Sequence, residues 1–167
     1  TIATWQSRVL NQMFKDKGLL VIEPNIFKNN SKQAFANLLE NEDKLITQIK
    51  LNSQELKNRN FNVQVDENVS SRFMLYQKKK GRQRLEKHAG QWQLGNQKWV
   101  LPSLLSESEK PDFDLSPDAL IRPIWQDIML PVAAYVAGPG EIAYYHQLKG
   151  CYEFFDMQMP LILPRMN

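Results

Sequence analysis

The sequence predicts an α/β fold, in which a parallel sheet layer with helices carries a small antiparallel β-meander insert. Unbroken apolar runs at 19–22, 132–136 and 161–163 stand beside Gly or Pro, as is typical of strands buried on both faces of a parallel sheet. Apolar residues at helical spacing lie before and between these runs. Short segments with turn residues between about 67 and 113 indicate hairpins instead. We therefore predict a Rossmann-like layer with a β-meander at about 67–113.

The first third of the chain is predicted to be mainly helical. Apolar residues recur every four positions over 2–15, and Gly18 is a natural stop after this helix. A strand is expected at 19–22 because its four apolar residues lie between Gly and Pro. A long helical segment from about 32 to 58 follows, and the alternating FNVQV at 61–65 predicts a short half-buried strand.

The sequence pattern in the middle of the chain differs from that of the first third. Residues 72–100 predict a separate antiparallel meander, and 103–116 reads as an acidic loop. The helical pattern then restarts, with Ser116 as the expected N-cap and Pro131 as the end of the segment.

The last third of the chain predicts a βαβ unit. A strand at 132–136 leads through a tight loop into a helix over 140–156, and a last strand at 161–165 follows. In open α/β sheets, ligands lie at the carboxyl ends of the strands, where the loops meet helix N-termini. The Gly-Pro-Gly-Glu loop after the strand 132–136 occupies such a place.

This Gly-Pro-Gly-Glu loop is the first candidate binding site. Gly138 is suited to be the helix cap, Pro139 has the right φ for the first turn, and Gly140 leaves the backbone open. Exposed N–H groups there favour a phosphate or a carboxylate. Glu141 would repel an anion, so holding an amine or a sugar hydroxyl fits it better. The alternative is that these residues only begin a helix well, with Glu141 contributing about 0.3–1 kcal/mol to the helix dipole.

Other polar residues flank the same strands. Arg165 follows the final strand, where its guanidinium is suited to a carboxylate or a phosphate. Arg122, Gln126 and Asp127 precede the strand 132–136, so they are expected at its opposite end if the helix folds back directly. Arg122 and Gln126 are candidate binding residues, and hydrogen bonding at a helix end is the alternative for both. No catalytic residue is assigned.

Composition restricts the classes of function. The chain has 167 residues, 43% hydrophobic and 23% charged, so it is long enough to bury a core and is not of the disordered class. A net charge of +3 requires no polyanionic partner, so nucleic acid is not expected, and KKKGRQR at 78–84 reads as a solvated hairpin turn. His88 and His146 have no ligands at metal spacing, so no metal site is predicted.

The cellular compartment is predicted from the cysteine content and from the lack of long apolar segments. Cys151 is the single cysteine and lies on an apolar helix stripe, which indicates a buried thiol. No apolar stretch approaches the ~20 residues of a membrane span, and no leader pattern opens the sequence. We therefore expect a cytoplasmic protein that is not attached to a membrane.

The segment SPDALIRPIWQDIMLPVAAYVAGPGEIAYYHQL, with MPLILPR after it, resembles the signature region of the cysteine-adding enzymes of bacillithiol biosynthesis. The strong match covers about 116–165, and the rest of the chain follows the family only in its order of elements. Ala137 departs from the pattern, where a glycine is expected. The matching positions are Arg122-Pro123, Gln126-Asp127, Leu130-Pro131, Gly138 to Tyr144 and Pro164-Arg165.

The resemblance implies a specific activity. Family members join the carboxyl group of L-cysteine to the amine of glucosaminyl malate, forming an amide, and ATP or another nucleotide is the expected activator. They are much longer proteins, with a Rossmann-like core and a helical coiled-coil domain, and the resemblance leaves room for a homodimer of the full-length protein. Residues 1–167 would then be a partial core domain that is inactive alone.

A second class of function remains open at this point. The chain would instead be a non-catalytic nucleotide- or RNA-binding α/β module, since a fold does not fix a function. A basic face on the meander that brings Trp92, Trp99 and 78–80 together would favour RNA binding. Glu141 and Arg165 gathered around a cleft would favour the enzyme.

Overall fold

A computed structural model describes residues 2–22, 24–27, 31–77, 81–110 and 113–166. The chain divides into two compact units, residues 1–31 and 32–167, and each is described by itself. Within the described residues, no helix has the length and apolar character that a membrane crossing requires.

The first unit confirms the predicted helix and lacks the predicted strand. Helix α1 spans Ile2–Met13, a turn follows with Gly18 at φ 73°, and a short 3₁₀ helix covers Pro24–Phe27. Residues 19–22 form no strand, and the Leu20 side chain is 76% exposed. The prediction for 19–22 is therefore wrong. An apolar run shows only a preference for strand, because a strand also needs a neighbour to bond its backbone.

The second unit contains the remaining helices and all the strands of the described residues. The helices are α2 (Lys32–Glu40), α3 (Glu42–Asn58), α4 (Leu101–Ser108), α5 (Ile121–Met129), α6 (Pro139–Gln147) and α7 (Lys149–Phe154). The strands are β1 (Phe73–Gln77), β2 (Gly81–Arg84), β3 (Glu86–His88), β4 (Gln91–Leu94), β5 (Gln97–Trp99), β6 (Asp114–Pro117), β7 (Ala134–Ala137) and β8 (Leu161–Pro164).

The segment predicted as one helix over 32–58 is two helices, α2 and α3. The side chain of Asn41 donates to the backbone oxygen of Asn37 at 2.9 Å, and Asn41 has φ −98° and ψ 8°. An asparagine side chain that bonds the preceding turn competes with regular helix geometry, so the axis breaks there.

Two antiparallel sheets form the meander, with strand orders β2-β1-β6 and β3-β4-β5. The antiparallel pairing predicted over 72–100 is confirmed. The loop predicted over 103–116 is wrong, because this stretch contains α4 and β6. Strand β6 pairs with β1, with Leu75 opposite Leu115. Its pairing partner lies about 40 residues earlier, at a distance in sequence that local pattern does not reveal.

The predicted strand at 61–65 is also wrong. Instead of pairing with a strand, Val65 pairs with one side chain. Its N–H donates to Oε1 of Gln147 at 3.1 Å, and its oxygen accepts from Nε2 of the same amide at 3.0 Å. Nε2 also donates to the Ser53 hydroxyl at 3.0 Å. The buried Gln147 amide therefore takes the place of a neighbouring strand and ties α6 to α3.

The parallel pair is β7 and β8, with Ala134 opposite Leu161 and Ala137 opposite Pro164. The predicted strands at 132–136 and 161–163 are thus confirmed as parallel neighbours, and the third neighbour predicted at 19–22 is absent from the sheet. The helix predicted over 140–156 is two helices, α6 and α7, which meet at Leu148 with φ −95° and ψ −9°.

The core of the second unit lies between α2, α3, the first antiparallel sheet and the βαβ helices. Cys151 is buried in it as predicted, and burial raises the pKa of its thiol to about 12. The fully buried core side chains include Leu38, Leu39, Leu45, Ile49, Phe73, Leu85, Leu104, Leu120, Ile121, Ile124, Leu148 and Cys151.

A buried ion pair fixes the start of α5. The guanidinium of Arg72, which has no exposed surface, donates to Oδ2 of Asp118 at 3.1 Å, and Arg84 donates to the same oxygen at 2.8 Å. The other oxygen of Asp118 accepts from the N–H groups of Leu120 at 3.0 Å and Ile121 at 3.2 Å. Asp118 is therefore the residue that caps this helix, and the predicted N-cap Ser116 lies in β6 instead.

A second buried carboxylate fixes the start of α3. Glu42 has no exposed surface and accepts from the Ser71 hydroxyl at 2.8 Å, the Arg72 N–H at 2.6 Å and the Trp92 indole at 2.7 Å. Burial raises the pKa of this carboxyl, against the opposing effect of these hydrogen bonds. One side chain thus joins α3 to both antiparallel sheets.

Candidate functional site

The Gly-Pro-Gly-Glu loop leaves the carboxyl end of β7 and enters α6 directly. Gly138 is the N-cap with φ −76° and ψ 169°, and its oxygen accepts from the Ile142 N–H at 2.9 Å. This backbone conformation is open to any residue, so the glycine is not required by its φ. A Cβ at Gly138 would stand 3.0 Å from Nη2 of Arg165. The glycine therefore gives room to that guanidinium.

Arg165 lies at the same edge of the sheet as the loop. Its N–H donates to the oxygen of Ala137 at 2.8 Å, which continues the β7–β8 ladder by one residue. In the described part of the chain, its guanidinium has no hydrogen-bond partner and is exposed. The structure thus brings Arg165 next to Gly138, and leaves its donors available.

The Glu141 carboxylate is held by two hydrogen bonds within the protein. Oε1 accepts from the Tyr135 hydroxyl at 2.7 Å, and Oε2 accepts from the Gly138 N–H at 2.9 Å. The pKa of this carboxyl is lowered, first by the Gly138 N–H and then by Tyr135, with smaller contributions from the charges of Arg122 and Arg165. Glu141 is therefore ionised near neutral pH and closes the first turn of α6, as one half of a capping box.

Arg122 also lies at the carboxyl end of β7. Its Nη2 donates to the hydroxyl of Tyr144 on α6 at 3.4 Å, its guanidinium also bonds the Tyr135 hydroxyl, and its charge acts on Glu141. The prediction that placed Arg122 at the opposite end of this strand is wrong. Arg122 is at the first turn of α5, and a helix rises about 1.5 Å per residue, so its start lies well away from its end.

Gln126 and Asp127 remain at the other end, on the last turns of α5. The backbone oxygen of Gln126 accepts from the Leu130 N–H at 2.8 Å. Oδ2 of Asp127 accepts from the Tyr152 hydroxyl at 2.6 Å, and burial raises the pKa of this carboxyl. A shallow open groove lies beside it, at the amino ends of β7 and β8. The groove is lined by Asp127, Leu130, Pro131, Val132, Ala133, Met157 and Gln158.

Five side chains thus gather at the carboxyl end of the parallel strands, and we call them the carboxyl-edge cluster: Arg122, Tyr135, Glu141, Tyr144 and Arg165. The two tyrosines were not among the sequence-based candidates. Tyr135 stands within the apolar run 132–136 and Tyr144 among apolar residues of the next helix, and such patterns are typical of core residues. The signal that would have found Tyr135 is its position two residues before the carboxyl end of β7, on the face that α6 covers.

The electrostatics of the cluster favour a charged ligand. Among the residues that the structure describes, neither guanidinium lies within ion-pair distance of Glu141, although both charges act on it. The arginines therefore keep donors for an anion, since a guanidinium has five N–H groups in a planar fork. Each Glu141 oxygen has a second lone pair for an ammonium or hydroxyl group.

The two tryptophans of the meander do not form the exposed aromatic face that RNA binding would need. Trp92 is 3% exposed and Trp99 is 8% exposed, so both indoles belong to the core and are not available for stacking on bases. The basic residues 78–80 lie outside the described residues. The feature that would have favoured the RNA-binding alternative is therefore absent at the two tryptophans.

The family model and the curated relatives that this chain matches all belong to one family. The model of the family described as "Bacillithiol biosynthesis BshC, N-terminal Rossmann-like domain" matches residues 1–166. A relative from Natranaerobius thermophilus, with the name "Putative cysteine ligase BshC", is 36% identical over 99% of this chain and 31% of its own length. Relatives with the same name from Lysinibacillus sphaericus and Salinibacter ruber are 28% and 29% identical, over 100% and 96% of this chain.

The chain spans about a third of the length of the curated relatives it matches, 31%, 32% and 30% of the three. The family match extends beyond the signature region at 116–165 to almost the whole chain. It also agrees with the α/β architecture and the parallel βαβ unit described above. The chain belongs to the BshC family of bacillithiol biosynthesis, and it matches the N-terminal Rossmann-like domain of that family.

Proposed function

We propose that this chain is part of a longer cysteine ligase, which joins the carboxyl group of L-cysteine to the amine of glucosaminyl malate. The family membership supports a ligase of bacillithiol biosynthesis. The carboxyl-edge cluster is the observation that supports a substrate site within this chain. A fixed carboxylate there lies near two guanidiniums, and neither forms an ion pair with it among the described residues.

The charges of the cluster suit the proposed substrates. Both L-cysteine and glucosaminyl malate carry an ammonium group together with carboxylates. In the proposed complex, Arg122 and Arg165 bind a carboxylate, and Glu141 accepts from an ammonium group. Charge-assisted hydrogen bonds of this kind are short and about twice as strong as neutral ones. The site therefore selects ligands with both charges over plain anions.

The reaction also requires activation of the cysteine carboxylate. A carboxylate is a poor electrophile, because its oxygen is a poor leaving group, and an amine does not displace it unaided. We propose ATP or another nucleotide as the activator, by way of a leaving group attached to the carboxyl oxygen. The backbone N–H groups at the start of α6 and the free donors of Arg165 are suited to a phosphate as well as to a carboxylate.

A reaction assay tests the activity. The full-length protein is incubated with L-cysteine, glucosaminyl malate and ATP, and the amide product is measured by mass spectrometry, with omission of each component as the control. We expect product only in the complete mixture. We also expect residues 1–167 alone to give none, because they span about a third of the relatives' length. Amide formation by residues 1–167 alone would contradict the proposal that the chain is a partial core domain.

A further inference from the structure

We propose that Tyr135 is a positioning residue, whose hydroxyl holds the Glu141 carboxylate on the loop and thereby keeps Arg165 free to bind the anionic group of a ligand. The inference rests on the proposed function of the carboxyl-edge cluster. It assigns to Tyr135 a role that acts through Glu141 and requires no contact with the ligand.

The contacts of Glu141 show how the carboxylate is held. The Tyr135 hydroxyl donates to Oε1 at 2.7 Å, and the Gly138 N–H donates to Oε2 at 2.9 Å. The backbone donor is fixed by the loop, whereas the hydroxyl is the only side-chain donor to Glu141 in the described residues. The carboxylate thus stays at the helix start through one side chain.

Tyr135 is itself well fixed. It lies on β7 in register with Ile162 of β8, and its half-buried ring packs on Tyr145 with ring centroids 5.1 Å apart. An ordered strand and an aromatic contact restrict the ring, so its hydroxyl is a rigid donor. The Arg122 guanidinium also hydrogen-bonds to the Tyr135 hydroxyl, and its charge acts on both Tyr135 and Glu141.

Without the hydroxyl, Glu141 has partners nearby that would occupy the ligand's place. Oε2 of Glu141 and Nη2 of Arg165 lie 3.6 Å and 3.0 Å from the same point, the position of a Cβ on Gly138. Both groups thus lie against Gly138, so a Glu141 side chain released from Tyr135 can turn toward the Arg165 guanidinium and pair with it. Such a pair competes with an external anion for the same donors. Exposed ion pairs are weak, so this competition reduces the apparent anion affinity by only about two- to fivefold.

The test is a rescue experiment in the full-length protein. The affinity for L-malate, a dicarboxylate without an ammonium group, is measured by calorimetric titration for the wild type, Tyr135→Phe, and Tyr135→Phe with Glu141→Gln. We expect Tyr135→Phe to weaken binding about two- to fivefold and the second substitution to restore it, because glutamine carries no charge to compete. Tyr76→Phe removes an exposed hydroxyl on β1 and is the matched control, with no expected change.

A second measurement needs no ligand. Phenylglyoxal modifies arginines whose guanidiniums are free, and mass spectrometry gives the rate at each residue. We expect Arg165 to react more slowly in Tyr135→Phe than in the wild type, and at the wild-type rate again when Glu141→Gln is added.

The outcomes separate the inference from the proposed function. If L-malate does not bind the wild type, the proposed anion site fails, and the modification rates still decide the role of Tyr135. If Tyr135→Phe changes neither malate affinity nor the rate at Arg165, the inference is overturned. The same holds if Glu141→Gln fails to restore what Tyr135→Phe removes, since a merely structural loss would not be rescued by a second substitution.

Discussion

Replacing Glu141 by glutamine tests whether the loop residue only begins a helix or also binds a ligand. The carboxylate accepts two hydrogen bonds, from Tyr135 at 2.7 Å and from Gly138 at 2.9 Å. Glutamine keeps the shape and one acceptor oxygen, but it loses the charge and presents an amide to one of the donors. For a half-exposed group this costs about 1 kcal/mol, which for a protein of this size lowers the melting temperature by about 2–4 °C.

The effect on ligands is expected to depend on their charge. Loss of the charge-assisted bond to an ammonium group costs about 1.5–3 kcal/mol, or about one to two decades in affinity. The affinity for L-cysteine and glucosaminyl malate should fall accordingly, as measured by calorimetric titration. L-Malate has no ammonium group, so its affinity should stay the same or rise, because a negative charge has been removed beside the arginines.

The pH dependence provides an internal check on the same variant. The pKa of Glu141 is lowered from its usual 4.5, so its ionised form stabilises the folded protein. A carboxyl with a lowered pKa contributes stability above the unfolded pKa, and this contribution disappears as the pH falls through the folded pKa. The difference in melting temperature between wild type and Glu141→Gln should therefore be constant above about pH 5.5 and shrink below about pH 4.5. A lower melting temperature with unchanged affinities for all three ligands would refute the ligand role of Glu141.

Two further predictions address the glycines of the loop and the buried carboxylate of α3. Gly138→Ala should move the Arg165 guanidinium and weaken L-malate binding, whereas Gly140→Ala, whose Cβ has only ordinary contacts at 3.8 Å, should leave binding unchanged and raise the melting temperature slightly. Equal effects of the two variants in the titration would contradict this. Glu42→Ala should lower the free energy of unfolding in urea by about 3–5 kcal/mol, because it leaves three buried donors without an acceptor. Glu40→Ala, at an exposed neighbouring position, is its control, and a similar small loss in both would refute the role of the buried network.

The βαβ unit was predictable because its signals are local. Strands β7 and β8 are short apolar runs, and the Gly-Pro-Gly-Glu loop between β7 and α6 has residues suited to a helix start. Each of these signals lies within a few residues of the element that it predicts. The same locality explains why helix α1 and the hairpins of the meander were found.

The missed elements depend on partners that lie far away in sequence. Strand β6 has the polar sequence DLSP, and it is a strand only because β1 pairs with it. Conversely, FNVQV at 61–65 alternates as a strand should, but the Gln147 side chain bonds its backbone instead. The sequence pattern shows which segments prefer an extended backbone. Whether such a segment becomes a strand depends on whether another segment bonds its backbone.

The candidate site was predictable at the loop and less so around it. Gly138, Glu141 and Arg165 follow from strand ends, since the carboxyl ends of parallel strands meet at one edge. Tyr135 did not follow, because a tyrosine inside an apolar run reads as a core residue. Arg122 was placed at the wrong end, since it was grouped with Gln126 at the other end of the same helix.

The most direct test of the account is the binding of glucosaminyl malate to the full-length protein, measured by calorimetric titration of the wild type and Arg165→Gln. Arg59→Gln is the control, because it removes another exposed guanidinium, at the C-cap of α3. A ligand carboxylate bound to Arg165 predicts a loss of about one to two decades in affinity for Arg165→Gln and none for Arg59→Gln. Equal affinities in all three proteins would contradict the assignment of the carboxyl-edge cluster as the substrate site.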